Sequence, residues 1–464
     1  MGSPTTWPVK APASRAGSRA RTRLRGLALV AVLALFTLLV VKLEFKNPNA
    51  NDAFYAYGVL VTVVITVTMS VALGLYRDPA RTARPYVSPA DSMPLVSCIV
   101  AVYNEEALVR QCVGSIVAQT YPNKEIIVID DASTDKSLSV LREMAASYPI
   151  RLIELPRNSG KKRALSEGVR HASGSIIAFA DSDTVWAEDA VATVVPIFAE
   201  DENMGAVSGH CRALNGSRNL LTKIQDTWYD GQFSIRKAFE SYYGAVTCVS
   251  GPLAFFRLAA IYNYLEAWSS DTFLGQEFRF ATDRTLTAYV LGGSYLGPRV
   301  LPRYSKSAFA WPRYPMRDWK IVYSKSARAW TNVPATFKSV IKQQIRWKKS
   351  FIRNVFVTGR FYWRRPLLPA LFFYVHCAFV FFGPFVAARH IIYLPLRGDP
   401  MSLVLYLAGI VVIGLSFGLA YRHENPGSYR WLCRPLMSLM STTVFTWLIF
   451  YSAATIKRMT WFRG

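Results

Sequence analysis

Five long apolar stretches, set at the two ends of the chain around a polar middle, constrain this sequence most. They are Gly26 to Val41, Phe54 to Tyr76, Leu367 to Leu396, Met401 to Tyr421 and Leu436 to Ile456. A hydrocarbon core about 30 Å thick is crossed by ~20 helical residues, and all five stretches are long enough to span it, the first only barely. One such run alone could be a buried core helix. Clustered at both ends, they read as membrane spans flanking a water-facing domain, which accounts for the 52% hydrophobic content.

A basic leader (Lys10, Arg15, Arg19, Arg21, Arg23, Arg25) precedes the first stretch. It resembles the start of a signal peptide, but no A-x-A-like cleavage site follows, so an uncleaved anchor is expected. Positive charge faces the cytosol, and the second span returns the chain there at Arg77, Arg81 and Arg84. The chain thus reads as a multi-pass plasma-membrane protein with a cytosolic middle. Five spans would leave the C-terminus outside, yet Lys457, Arg458 and Arg463 prefer the inside. Either Leu367 to Leu396, broken by Pro384, makes two membrane elements, or one stretch is interfacial or re-entrant. The expected division is residues 1–25 as leader, 26–76 as two membrane helices, 77–300 as the cytosolic domain, 301–365 as interfacial amphipathic helices and 366–464 as a bundle of three or four membrane segments.

Six cysteines without a CxxC pair argue against a disulfide framework or a thiolate metal site and read as reduced and mostly buried. Five dispersed histidines argue against zinc. Any metal should be a hard one held by oxygen.

From Leu95 the pattern alternates: apolar runs at Leu95 to Val102, Glu125 to Ile129, Ile150 to Leu155 and Ser175 to Ala180 are separated by helical stretches at Ala107 to Gln119, Lys136 to Ser147 and Lys161 to His171. This predicts a doubly wound, mostly parallel α/β sheet, with ligands at the carboxyl ends of the strands. Three of those ends carry "VYNEE" (Val102 to Glu106), "DDASTD" (Asp130 to Asp135) and "DSD" (Asp181 to Asp183). Alone, each is an ordinary cap or solvated turn. Together they suit a nucleotide with a divalent cation. Two like charges such as Asp181 and Asp183 repel unless a cation lies between them. No P-loop and no G-x-G-x-x-G follows the first strand.

In chain order, "DDASTD", "GKKRAL" (Gly160 to Leu165), "DSD", "SGPLAFFR" (Ser250 to Arg257), "ATDRTLT" (Ala281 to Thr287) and "QQIRW" (Gln343 to Trp347) resemble the processive family 2 glycosyltransferases, which include cellulose, chitin and hyaluronan synthases. The likeness covers roughly Pro94 to Arg365. "CVSGPL" and "QQIRWKKS" look most like the hyaluronan synthases. Two departures stand out: "ATDR" replaces a Gly-Asp-Asp-Arg type sequence, and "AFFR" replaces the usual ending of the SGPL motif.

The resemblance implies a GT-A-like (Rossmann-like) domain between membrane segments, and a hexosyltransferase. It also implies the site. Asp181 and Asp183 would hold Mg2+ or Mn2+ against the donor diphosphate, since such ions need only one or two protein carboxylates. Asp131 would lie near uridine and ribose, with Tyr103 stacking on the base and Asn104 and Glu105 beside it. Lys161 would meet the diphosphate. Asp283 would take the proton of the acceptor hydroxyl. Gln343, Arg346 and Trp347 would complete the catalytic side, Arg346 clamping diphosphate and Trp347 giving the acceptor sugar a flat face. Cys248, Ser250, Gly251 and Pro252 would border the acceptor, and Lys161, Lys162, Arg163 and Arg284 would supply a positive field. The implied partners are UDP-GlcNAc, UDP-GlcUA, the nascent polysaccharide and membrane lipid, with a monomer as the expected state. Between Arg299 and Arg365 the one acid is Asp318, amid many basic and aromatic residues. That pattern also describes nucleic-acid binders, but the flanking spans favour a lipid surface and no nucleic acid. The rivals are a chitin-type homopolymer synthase and a non-enzymatic membrane channel or carrier carrying a degenerate transferase domain.

Overall fold

The computed structural model describes residues 17–44, 52–84 and 93–458. Lys10 and Arg15 of the basic leader and Arg463 at the C-terminus lie outside them. The strand that starts the middle domain, β1 (Val96–Val102), is buried at every position. It pairs in parallel with β2 (Lys124–Asp130) on one side and β4 (Ile176–Asp181) on the other, and β2 pairs in parallel with β3 (Ile150–Glu154). β5 (Thr184–Trp186), β6 (Met204–Ala213) and β7 (Ala254–Arg257) follow, then a separate hairpin of β8 (Thr272–Phe273) and β9 (Gln276–Glu277), and finally β10 (Lys320–Thr331). The main sheet runs β3-β2-β1-β4-β7-β6-β10-β5. The β6–β10 pair is also parallel, while β7 and β5 pair antiparallel, which makes the sheet mostly parallel as expected.

Both faces of the sheet are covered, as the continuous apolar runs require. Along β1, Ile99 and Ala101 join Ile127, Ile129, Ile177 and Phe179 in one core. Val96, Cys98, Val100 and Val102 join Val128 and Ala178 in the other. Each such aliphatic side chain contributes about 1.5–3 kcal/mol by leaving water. Register then fixes the edge: Val102 lies opposite Asp130 and Ala101 opposite Asp181, so two strands end in acids at one level.

The segment expected as interfacial helices divides differently. Lys320–Thr331 is a twelve-residue strand inside the main sheet, and helix Phe337–Thr358 follows it. Ile321, Val322, Tyr323, Ala327 and Ala329 are buried in β10, and the run of β-branched and aromatic side chains outweighs its lysines and arginines. β10 also anchors the base of the second apolar helix. Tyr76 Oη donates to the Tyr323 carbonyl (2.8 Å), and the Asp78 carboxylate accepts from Ser324 Oγ (3.0 Å) and Ser326 N (2.7 Å).

Among the described residues three helices are long and apolar enough to cross a membrane: Ala53–Thr82, Leu367–Leu396 and Pro400–Glu424. Leu367–Leu396 is not split at Pro384. The break falls later, where Tyr429–Thr443 and Phe445–Ala454 meet at 42° as one broken span or a re-entrant pair. The first apolar run, Leu29–Lys42, is shorter and lies within helix Gly17–Glu44. All six cysteines are free thiols, four of them buried.

Candidate active site

Gly160 places Lys161 at the start of helix Lys161–Arg170 through a left-handed backbone (φ +84°). The Lys161 ammonium pairs with the Asp181 carboxylate at the end of β4. Asp283, in the first turn of helix Thr282–Leu291, faces the same space, and Lys161, Asp181, Gly251 and Asp283 line one cavity floored by Phe179 and Trp268. Burial raises the Asp283 carboxyl above the usual carboxylate range, and Asp181 adds repulsion, against the opposing pull of Lys161 and Lys237. Burial would lower Lys161, but Asp181 and Asp283 outweigh it and hold the ammonium above its ordinary value. The cavity therefore carries an acid held toward its protonated form beside a firmly charged cation.

Gly251 joins the two carboxylates. Its N–H donates to Asp283 Oδ2 (3.0 Å), while a Cβ there would lie 2.6 Å from Asp181 Oδ1. Only glycine lets the SGPL turn approach both. Ala281, before Asp283, sits at φ +58°, a conformation that favours glycine, and its N–H is held by Ser350 Oγ (3.1 Å). The "ATDR" departure is thus accommodated at some backbone cost.

Asp183 accepts from Thr331 Oγ1 (3.2 Å) at the end of β10. Across from it, Gln343, Arg346 and Trp347 share one side of helix Phe337–Thr358 at spacings of three and four. Tyr229 links the two sides: burial raises its phenol, and Cys211, Asp183 and Arg346 all act on it electrostatically. Trp347 stacks on Trp228 (5.3 Å between centroids), so one of its faces is covered by protein. Among the described residues no group of three or more His, Cys, Asp and Glu side chains could hold a metal ion. Asp181 and Asp183 fit a hard cation only if phosphate oxygens and water complete its shell, which suits Mg2+ or Mn2+.

Other expected residues hold the loops. Asp131 is buried and accepts at both oxygens, from Ser159 N (2.6 Å) and Gly160 N (2.8 Å), and so clasps the turn that presents Lys161. Burial nevertheless raises its carboxyl. Asn104 (φ +52°) accepts from Thr134 N (2.8 Å), and Glu105 N donates to Ser137 Oγ (2.7 Å), so the loops after β1 and β2 are tied together with Tyr103 at the end of β1. The Pro252 carbonyl accepts from Trp186 Nε1 (2.7 Å), and Cys248 is half-buried beside the same turn.

The expected positive field needs correction. Lys162 turns away into the core, donating to Asp271 (3.0 Å) and the Phe278 carbonyl (2.8 Å). Arg163 is exposed near Glu277, and Arg284 acts on His376 and Cys377 of the helix Leu367–Ala388. Lys161 remains, joined by a cation the sequence did not suggest, Lys237, whose charge reaches Asp283.

A family model described as "Glycosyl transferase family 2" matches residues 97–265. The chain is similar to a hyaluronan synthase of Streptococcus pyogenes, 30% identical over 376 residues that cover 79% of this chain and 82% of that protein. It is also similar to hyaluronan synthase 3 of Xenopus laevis, 24% identical over 416 residues covering 80% and 68%. A solved mannosyltransferase of Pyrobaculum calidifontis, in complex with GDP-Man and Mn2+, matches 85% of this chain and 98% of its own at 21% identity and a TM-score of 0.48.

Proposed function

This chain belongs to the hyaluronan synthase group of the family 2 glycosyltransferases, and on that premise we propose that it polymerises UDP-GlcNAc and UDP-GlcUA into hyaluronan in an inverting, processive reaction. The observation that carries the reading is the convergence of Lys161, Asp181 and Asp283 on one cavity, with Gly251 fitted between the carboxylates. In each cycle the acceptor hydroxyl oxygen attacks the anomeric carbon of the donor, the carbon–phosphate oxygen bond breaks, and UDP leaves with the electron pair. Asp283 takes the hydroxyl proton on the face opposite the leaving group. Gly251 N–H occupies Oδ2, which leaves Oδ1 as the basic atom. Lys161 balances charge developing on the diphosphate, and Arg346 approaches it from the other side. A divalent cation bound by Asp181 and Asp183 would neutralise the departing phosphate as a Lewis acid.

The polymer leaves through the same polypeptide, because helix Phe337–Thr358, which carries Trp347, leads directly to Leu367–Leu396 and a polar chain does not cross hydrocarbon unaided. The transferase domain is cytosolic in this reading, the membrane is the plasma membrane, and one copy suffices. The test is incubation of purified protein with labelled UDP-sugars, singly and paired. Polymer is expected only with both donors and should be cut by hyaluronidase. Sustained polymer from UDP-GlcNAc alone, cut by chitinase, would assign a chitin-type synthase instead. In reconstituted vesicles product should collect on the side away from the donors, and polymer wholly on the donor side would refute export.

A further inference from the structure

A buried ammonium that the transfer chemistry leaves unused lies beneath the SGPL turn. Lys237 ends the π-helical segment Gln232–Lys237 and is 8% exposed. Its Nζ donates to Ser250 Oγ (2.6 Å) and to Ser208 Oγ (2.8 Å) on β6, and lies 4.1 Å from the Phe233 ring centroid. Among the described residues no carboxylate forms an ion pair with it. A lysine buried with two hydroxyls and a ring, and no counter-ion in contact, is costly to keep charged. The π-helical backbone is a second departure from economy, since extra residues in a helical turn shift everything after them and occur mostly at functional positions.

We propose that Lys237 is a positioning residue for the transfer step: it fixes the Ser250–Gly251 turn so that one short backbone segment holds Asp181 and Asp283 in their working relation. The contacts form a chain. Lys237 pins the Ser250 hydroxyl, and Ser250 N donates to Ser208 Oγ (3.3 Å), so the backbone of this residue is held to β6 directly and its side chain through Lys237. The next N–H, that of Gly251, reaches Asp283 Oδ2 (3.0 Å), while the Gly251 Cα lies against Asp181. Loosening Ser250 moves the donor on one carboxylate and the packing surface of the other together. The positive charge adds to this, because Asp283 feels Lys237 through space. Donor affinity should change less than turnover: Asp131 and the 158–160 turn on the nucleotide side make no hydrogen bond to Lys237 or Ser250.

The inference rests on Asp283 acting as the base, so the experiment includes Asp283→Asn beside Lys237→Met and Lys237→Arg in the full-length purified protein, with kcat and donor KM measured for both UDP-sugars. Lys237→Met should lower kcat about 100-fold with KM within about twofold, the pattern of a misplaced reacting group. Lys237→Arg, which keeps charge and donors, should recover kcat to within about tenfold of the parent. Lys237→Met turning over within threefold of the parent would overturn the proposal, as would KM rising in step with the loss of kcat. Should the methionine variant not fold, Lys237→Gln is judged by the same criteria. An active Asp283→Asn would instead sink the base assignment.

Discussion

Gly251→Ala is the sharpest single perturbation of this site, because its magnitude follows from geometry. A Cβ at this position would stand 2.6 Å from Asp181 Oδ1 and 3.1 Å from Oδ2, whereas ordinary contact begins at 3.4 Å. Moving from 2.6 to 3.4 Å, the carboxylate or the turn must retreat by roughly 0.8 Å. Neither is free to do so: Lys161 holds Asp181, and Gly251 N–H and Ser250 Oγ hold the turn to Asp283 and Lys237. The backbone raises no separate objection, since φ at this glycine is not positive. A displacement near 1 Å at reacting groups costs about 100-fold in rate, or roughly 2.7 kcal/mol of barrier. Overpacking beside a cavity should cost no more than about 1 kcal/mol in stability, the low end for such changes. The assay is UDP release by detergent-purified protein, with Tm followed in parallel. Gly168→Ala is the control: its Cβ would meet Ile99 Cγ2 at 2.5 Å and Ile129 Cδ1 at 2.7 Å in the core, and it should lower Tm while leaving kcat per folded molecule unchanged. Gly251→Ala with kcat within threefold of the parent would refute the reasoning, and so would a Tm loss as large as that of the control.

Asp283→Asn should abolish transfer while UDP affinity, read by calorimetry, stays within twofold. Because burial and Asp181 raise the Asp283 carboxyl, the base takes up a proton at a pH above the ordinary carboxylate range, so kcat should fall on acidification along a limb displaced upward from that range. The pH–rate profile of the parent protein measures it. Activity should be lost to EDTA and restored by Mg2+ or Mn2+, and an Asp183→Asn variant should need more metal for half-maximal rate. Full turnover in metal-free buffer would contradict the assignment. Asp271→Ala should destabilise by about 3–5 kcal/mol in denaturant titration, because Lys162 and Arg353, paired with Asp271 at 3.0 and 2.5 Å, are then left as buried cations without a carboxylate.

The acidic strand ends were legible because apolar runs that stop at Asp130 and Asp181 signal a parallel sheet and its ligand edge at once. Gln343, Arg346 and Trp347 were reached through the likeness of "QQIRW" to the family motif rather than through any pattern in the residues themselves. The two lysines of "GKKR" were not separable: neighbours on a helix point about 100° apart, and nothing local says which one looks into the cavity and which into the core. Lys162 was therefore misplaced. Lys237 was invisible for a related reason, since the π-helical turn breaks the 3.6-residue periodicity that would have assigned its face. β10 was hidden by composition: Lys325 and Arg328 dominate a reading for charge, although the strand pairs register by register with β6 and shifts register between Tyr323 and Arg328. Asp131 and Asn104 were found as positions, but their work in tying loops depends on tertiary neighbours that no spacing predicts.

β10 has a further consequence for how such a chain can be recombined. Its Tyr323 to Ser326 stretch is fastened to Tyr76 and Asp78 at the foot of an apolar helix, and its last residue, Thr331, touches Asp183. The β6 residues paired with Tyr323 and Thr331, Ser208 and Ala213, are five steps apart at about 3.3 Å each, so roughly 17 Å of sheet separates the foot of that helix from Asp183. A gene fusion that swapped the transferase onto foreign anchors would leave Asp78's serine partners unmatched at one end and tilt Thr331 at the other. Chimaeras that keep the interval from Tyr76 to Thr331 intact should therefore fold and turn over better than chimaeras with a crossover inside it.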